Sequence, residues 1–130
     1  MLKVSRAQQT QMCRMNQCYR RDQLPGTGHG YLRFDGGRAV CAGLLPKLNP
    51  DAPQVILVGE GLLREKWARI LCTQNMPIEV YLKERPNCWE YVGKFEVERW
   101  SEAADEIRRH EARARRDDVV RVIYLRKIRI

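Results

Sequence analysis

The chain of 130 residues sets Gly59-Glu60-Gly61 directly between an apolar run, Val55-Ile56-Leu57-Val58, and a helix-forming stretch. Backbone N–H groups at such a helix start attract anions, phosphate above all. Glu60 opposes that attraction and could instead accept a hydrogen bond from the amino group of a base. The same three residues also read as a plain strand-to-helix turn. His29, in Gly28-His29-Gly30, is the one attractive acid–base residue, since its flanking glycines allow close approach to a substrate. No serine or cysteine with a nucleophile signature accompanies it, and no acids stand in the Asp…Glu-x-Lys order of a nuclease. The chain reads as a binder more than as an enzyme.

Its rings and cations fit binding. Tyr81, Trp89, Tyr91 and Trp100 can stack bases, although cross-strand packing is the competing use of such rings. Lys83, Arg85 and Lys94 surround one hairpin, and Arg20, Arg21, Arg33 and Arg38 lie in the first half; all can contact phosphate or serve as solvated surface charge. The net charge of +8 is uneven. Residues 1–50 hold eight Lys and Arg against two acids, residues 51–98 six against eight, and residues 99–130 ten against six. If the two basic ends meet on one face, they form a surface that attracts phosphate.

The five cysteines are odd in number and irregularly spaced, which predicts thiols in a reducing, cytoplasmic setting. Cys13 and Cys18 have no second close pair to complete a zinc site, so no metal is expected, and no motif calls for a cofactor. No apolar run reaches the roughly 20 residues of a membrane span, and the N-terminus lacks a signal-peptide core.

These groups need elements to hold them. Residues 5–22 lack Gly and Pro and repeat Met12, Met15 and Tyr19 at helical spacing, predicting a helix capped by Ser5. Residues 24–30 are a Gly-rich loop. Residues 31–34 and 38–44 flank Asp35-Gly36-Gly37 and predict a hairpin. Three prolines in residues 45–53 predict a rigid, extended connection. Residues 55–58, apolar throughout, suit a strand at the sheet centre. Residues 62–74 predict a helix burying Leu63, Trp67, Ile70 and Leu71. Residues 78–83 and 89–99 predict paired strands, with Trp89, Tyr91, Phe95 and Val97 on one face and Gly93 marking a bulge. Ser101 then caps a helix whose acids lead and whose arginines trail, and a long alternating strand closes the chain from Val119. A single α+β domain follows, built on a curled mixed sheet or pseudo-barrel with two or three flanking helices. Residues 1–50 would supply a helix and a hairpin, and residues 51–130 the core.

Strand-Gly-x-Gly-helix at residues 55–74, then Ile-x-Val-Tyr-Leu-Lys, Trp-x-Tyr-Val-Gly-x-Phe-x-Val, a helix and Arg-Val-Ile-Tyr-Leu, resembles the SRA-like (SAD/SRA, YDG) branch of the PUA-like superfamily over about residues 51–127. The resemblance implies a modified-DNA reader: a concave sheet face gripping a duplex and receiving a flipped base. In that family a Tyr before a Thr-Gly pair stacks on the base and an upstream Asp reads it. Here Leu57 and Val58 precede Gly59, and Asp51 is the nearest acid.

The expected function is nucleic-acid binding, to duplex DNA that carries a modified base or to RNA, in a defence or regulatory system. The alternative is a protein-interaction module (adaptor, inhibitor or toxin-system component) whose Met- and aromatic-rich surface docks a protein partner. No membrane partner is expected. The candidate contacts are Arg20, Arg21, His29, Arg33, Arg38, Gly59, Glu60, Gly61, Tyr81, Lys83, Arg85, Trp89 and Lys94.

Overall fold

The computed structural model describes residue 15 and residues 17–129. Ten elements follow in order: β1 (Cys18–Tyr19), a 3-10 turn (Arg21–Gln23), β2 (Leu32–Asp35), β3 (Arg38–Leu44), β4 (Val55–Gly59), α1 (Leu62–Gln74), β5 (Ile78–Arg85), β6 (Cys88–Ser101), α2 (Ala104–Ala114) and β7 (Val119–Lys127). All seven strands join one sheet, β2-β3-β5-β6-β7-β4, with β1 added on β6. Only β3 and β5 run parallel, so the sheet is mixed. The expected α+β architecture, a curled mixed sheet with two flanking helices, is the one observed.

Register shifts in four of the ladders bend the sheet. At Gly93 (φ 122°), Val80 pairs with Gly93 and Tyr81 with Tyr91, leaving Val92 as the extra residue. The bulge expected there has a consequence that simple alternation misses. Trp89 and Tyr91 pack with Tyr81 on one face of the sheet, whereas Phe95 and Val97 belong to the core on the other.

Inside the curl, Leu32, Leu44, Ile56, Val58, Ile78, Val80, Phe95, Ile123 and Leu125 pack against Ala68 and Leu71 of α1. Trp67 packs there too, but Leu63 is 56% exposed and does not join the core expected of it. On the outer face α2 covers Val55, Leu57, Val119 and Val122 through Ile107 and Ala114. β4 is therefore apolar on both faces because a helix lies over each.

Yet β4 ends the strand order rather than occupying its centre. Two side chains cap its open edge. Asn49 Oδ1 accepts from the Leu57 N–H at 2.8 Å, and Arg116 Nη1 donates to the Leu57 carbonyl at 3.2 Å. An edge whose backbone groups are satisfied this way no longer offers a template for strand addition. Asn49 sits in residues 45–53, which form successive turns closed on Leu45, Asn49 and Asp51 carbonyls, not an extended connector. The prolines tolerate the turns as readily as the extended form.

Two other expectations change. Residues 18–19 are a strand, and the 3-10 turn follows, so the helix expected over residues 5–22 does not reach its end; its first part lies outside the described residues. Cys18 and Cys88 form a disulfide that ties β1 to β6, in place of free thiols at both positions. Ser101 lies at the end of β6 and accepts from the Ala103 N–H at 3.1 Å, so the N-cap is Ala103, two residues beyond the Ser101 expected to cap. Among the described residues, no helix is long and apolar enough to cross a membrane.

α2 docks through a polar cluster. The Tyr124 hydroxyl donates to Glu106 and accepts from His110 Nε2 at 3.0 Å, while Arg99 bonds Glu106 at 2.9 Å and lies 4.0 Å from the Tyr124 ring centre. The Tyr124 bond, followed by those of Arg99 and Ser101, holds the Glu106 carboxyl at about 2 against an ordinary 4.5. A depressed carboxylate stabilises the fold fully above its ordinary value and loses that contribution as pH falls. The melting temperature should therefore decline between pH 4.5 and about 2. In Glu106→Gln that part of the decline should disappear, as read by thermal melts across the acid range.

Candidate nucleic-acid interface

The curl does not close, and a cleft of about 520 Å³ occupies the seam between loop 28–31 ahead of β2 and the β4 edge. Its walls come from separate parts of the chain: Arg21 and the His29–Tyr31 loop, Gly43 of β3, the turn at Leu45–Asn49, β4, the first turns of α1 at Arg64 and Trp67, Lys83 to Trp89 across the β5–β6 hairpin, and Arg116. Four Lys or Arg side chains and His29 line it; no Asp or Glu does among the described residues.

Glycines admit its rings. A Cβ on Gly30 would lie 2.0 Å from Trp67 Cζ3, and one on Gly43 3.0 Å from Trp89 Cζ3 and from Arg21 Nη1. A Cβ essentially never comes as close as 2.0 Å and rarely as close as 3.0 Å, so the Trp67 ring occupies the space a Gly30 side chain would need and the Trp89 ring abuts the bare Gly43 backbone. Trp67 also meets Tyr31 and Phe34 with ring centres 6.1 Å away, and the Tyr31 hydroxyl donates to the Arg64 carbonyl at 2.9 Å. Burial pushes that hydroxyl well above the usual phenol range, so it stays a donor. Trp89 carries Arg21 at 5.2 Å and Lys83 at 5.8 Å from its ring centre, both within cation–π reach. At Gly59 the bare Cα lets the Arg116–Asp118 pair, 2.8 Å, cross the strand end.

Of the residues singled out in the sequence, Arg21, His29, Gly59, Lys83 and Trp89 meet in this cleft. The others do not. Arg33 is buried at 8% exposure, its guanidinium donating to the carbonyls of Leu24, Pro25, Gly26 and Gly28; it staples the loop and does not face phosphate. Tyr81 is fully buried against Tyr19 and Tyr91 and cannot stack on a base. The helix start at Gly61 is no anion site, because Glu65 Oε2 already accepts from the Gly61 N–H at 3.0 Å. Glu60 is exposed beside it, its N–H given to the Asp118 carbonyl at 2.7 Å.

Lys94 pairs with Glu79 at 3.6 Å, and Arg20 with Asp22 at 3.2 Å. Arg38 bonds Met76 Sδ and Arg85 bonds Cys18 Sγ, both outside the cleft lining. Among the remaining rings, Tyr91 is half-buried and donates to Glu79, and Trp100 is stacked by Arg121 at 3.9 Å, away from the cleft. Asp51 is held by Arg113 at 2.8 Å and lies outside the cleft lining.

Among the cleft residues that sequence reasoning passed over, Tyr31, Arg64, Trp67 and Arg116 carry rings or charges. Tyr31 and Trp67 read as strand and core positions. The available signal was Gly30 beside Tyr31, a glycine that no turn requires.

No protein-family model matches the chain, and no curated protein matches it. Among solved structures, that of the SUVH5 SRA domain in complex with methylated CHH DNA is similar, with a TM-score of 0.44 and 17% identity over 82% of this chain and 76% of that one.

Because Trp67 depends on the bare Gly30 backbone, Gly30→Ala should displace the indole and cost about 1–3 kcal/mol through overpacking. Tryptophan emission and a denaturant melt read both effects. An unchanged spectrum and stability would mean that loop 28–31 yields freely and does not set the cleft wall.

Proposed function

We propose that the chain is a nucleic-acid-binding module, and that it reads duplex DNA carrying a modified base in a defence or regulatory setting. The observation that carries this reading is the seam cleft, lined by Arg21, Arg64, Lys83, Arg116 and His29 without an acid among the described residues, and walled by Trp67 and Trp89. Cations at a rim bind phosphates and set register, while flat rings receive a base. A base extruded from the duplex would enter beside Tyr31 and Trp67, with the cost of unstacking, a few kcal/mol, offset by ring contact. The strand motifs resembling the SRA-like branch fit the same use. RNA is the competing polymer.

A second reading, a protein-interaction module, draws on the exposed Leu62 (84%) and Leu63 (56%) at the start of α1. It expects a stable protein complex and indifference to nucleic acid.

Fluorescence anisotropy against duplex DNA, single-stranded DNA and RNA, with and without modified cytosine, separates these readings. Binding should weaken steeply with salt, with the logarithmic slope changing by about 0.9 per phosphate neutralised. The pair Arg64→Glu and Lys83→Glu should weaken binding and flatten the slope by about two phosphates' worth. An unchanged slope would place the contact surface elsewhere.

A further inference from the structure

Where Arg21 lines the cleft, its guanidinium and that of Arg33, which lies behind the lining, converge on one oxygen. Arg21 Nη2 lies 3.5 Å from the Gly28 carbonyl and 2.7 Å from that of Gly30, and Arg33 Nη1 lies 3.0 Å from the Gly28 carbonyl. Neither forms an ion pair among the described residues; every salt bridge found there uses other side chains. Carbonyl oxygens satisfy the donors without cancelling the charge. Burial, and then the nearby Arg33 charge, pull the Arg21 guanidinium below its usual range, as expected of like charges held together. Lys83, another cleft cation without an ion pair, shares the Trp89 ring with Arg21.

While the cleft is open, water offsets this charge. A neutral ring pressed into the cleft would strip that water and return at most a weak cation–π contact, an unfavourable exchange. A ligand bringing its own oxyanion would replace the water with charge-assisted hydrogen bonds. The geometry also joins the two needs. Gly30 offers its carbonyl to Arg21 and its bare Cα to Trp67, so an anion site and a ring platform lie on either side of one residue.

We propose that the Arg21 end of the cleft is an oxyanion subsite, and that the planar group entering beside Trp67 and Trp89 must carry a phosphate or a carboxylate into it. The ring's identity as a nucleobase rests on the function proposed above; the anion subsite does not. The oxyanion has two chemical sources: the phosphate of the entering nucleotide, or an acidic substituent on the base itself.

Calorimetric titration of the full chain with cytidine, cytidine monophosphate and inorganic phosphate tests the first source. Titration with duplexes carrying 5-methylcytosine or 5-carboxylcytosine tests the second. The monophosphate should bind about tenfold or more tighter than the nucleoside, and Arg21→Gln should remove the difference while keeping a donor for the Gly30 carbonyl. Lys83→Gln, outside the loop's hydrogen bonds, should reduce it independently if the Arg21 variant fails to fold. Equal binding of nucleoside and monophosphate, with preference for the carboxylated duplex, assigns the anion to the base. If the monophosphate is preferred but no duplex binds, the subsite stands and the nucleic-acid reading fails. If the methylated duplex binds as tightly as the carboxylated one and the phosphate adds nothing, or if no anion binds, the subsite is overturned.

Discussion

Four arginine side chains around the seam, Arg21, Arg33, Arg64 and Arg116, are held by backbone carbonyls, and the rest of the candidate site depends on that choice of partner. Arg33 gathers four loop carbonyls, Arg21 two, Arg64 that of Glu60, and Arg116 those of Leu48 and Leu57. A carboxylate partner would fix a guanidinium equally well but would cancel its charge. Carbonyls fix the geometry and leave the charge in place. Arg116 alone of the four adds an acid, Asp118, and it sits at the β4 end where it also closes the sheet edge. The loop of residues 24–30 thus acquires shape and positive potential from the same bonds.

Curvature then decides where that potential is displayed. Bulges bend the sheet, its end strands β2 and β4 do not pair with each other, and the loop ahead of β2 and the β4 edge both line the cleft. Asn49 and Arg116 satisfy the β4 edge. Inside the sheet, ahead of the β3–β5 ladder, the Gln74 side chain both donates to and accepts from Ala39 at 2.8 Å, standing in for the strand that β3 lacks there. With the β4 edge satisfied by side chains and Phe34 of β2 by the Thr27 backbone, the seam stays open, with Trp67 half-buried and Trp89 buried in its wall.

Much of this fold was legible in the sequence because local rules and tertiary needs agreed. The Asp35-Gly36-Gly37 hairpin, the strand-to-helix turn at Gly59, the bulge at Gly93 and the order of most strands follow from glycine positions and apolar periodicity. Three of the misreadings share one cause, which is that partners far apart in sequence decided the outcome. Val55-Ile56-Leu57-Val58 looked central because two helices cover it, not because two strands flank it. Cys18 and Cys88 are 70 residues apart, and only the β1–β6 pairing brings them together. Arg33 was indistinguishable from a surface cation until the loop folded around it. The cleft was half legible: its cations stood out as charges, but Tyr31 and Trp67 looked like ordinary core, since nothing local shows that a seam will leave their rings in reach of solvent.

Chemical-shift mapping tests the central claim most directly, that the cation-lined seam cleft is where nucleic acid binds. In a titration of labelled protein with a short duplex, the indole N–H signals of Trp67 and Trp89 and the amides of residues 28–31 should shift together, and the shifts should collapse as salt is raised. Shifts confined to α2 or to the Arg38 turn, with both cleft indoles unmoved, would contradict it.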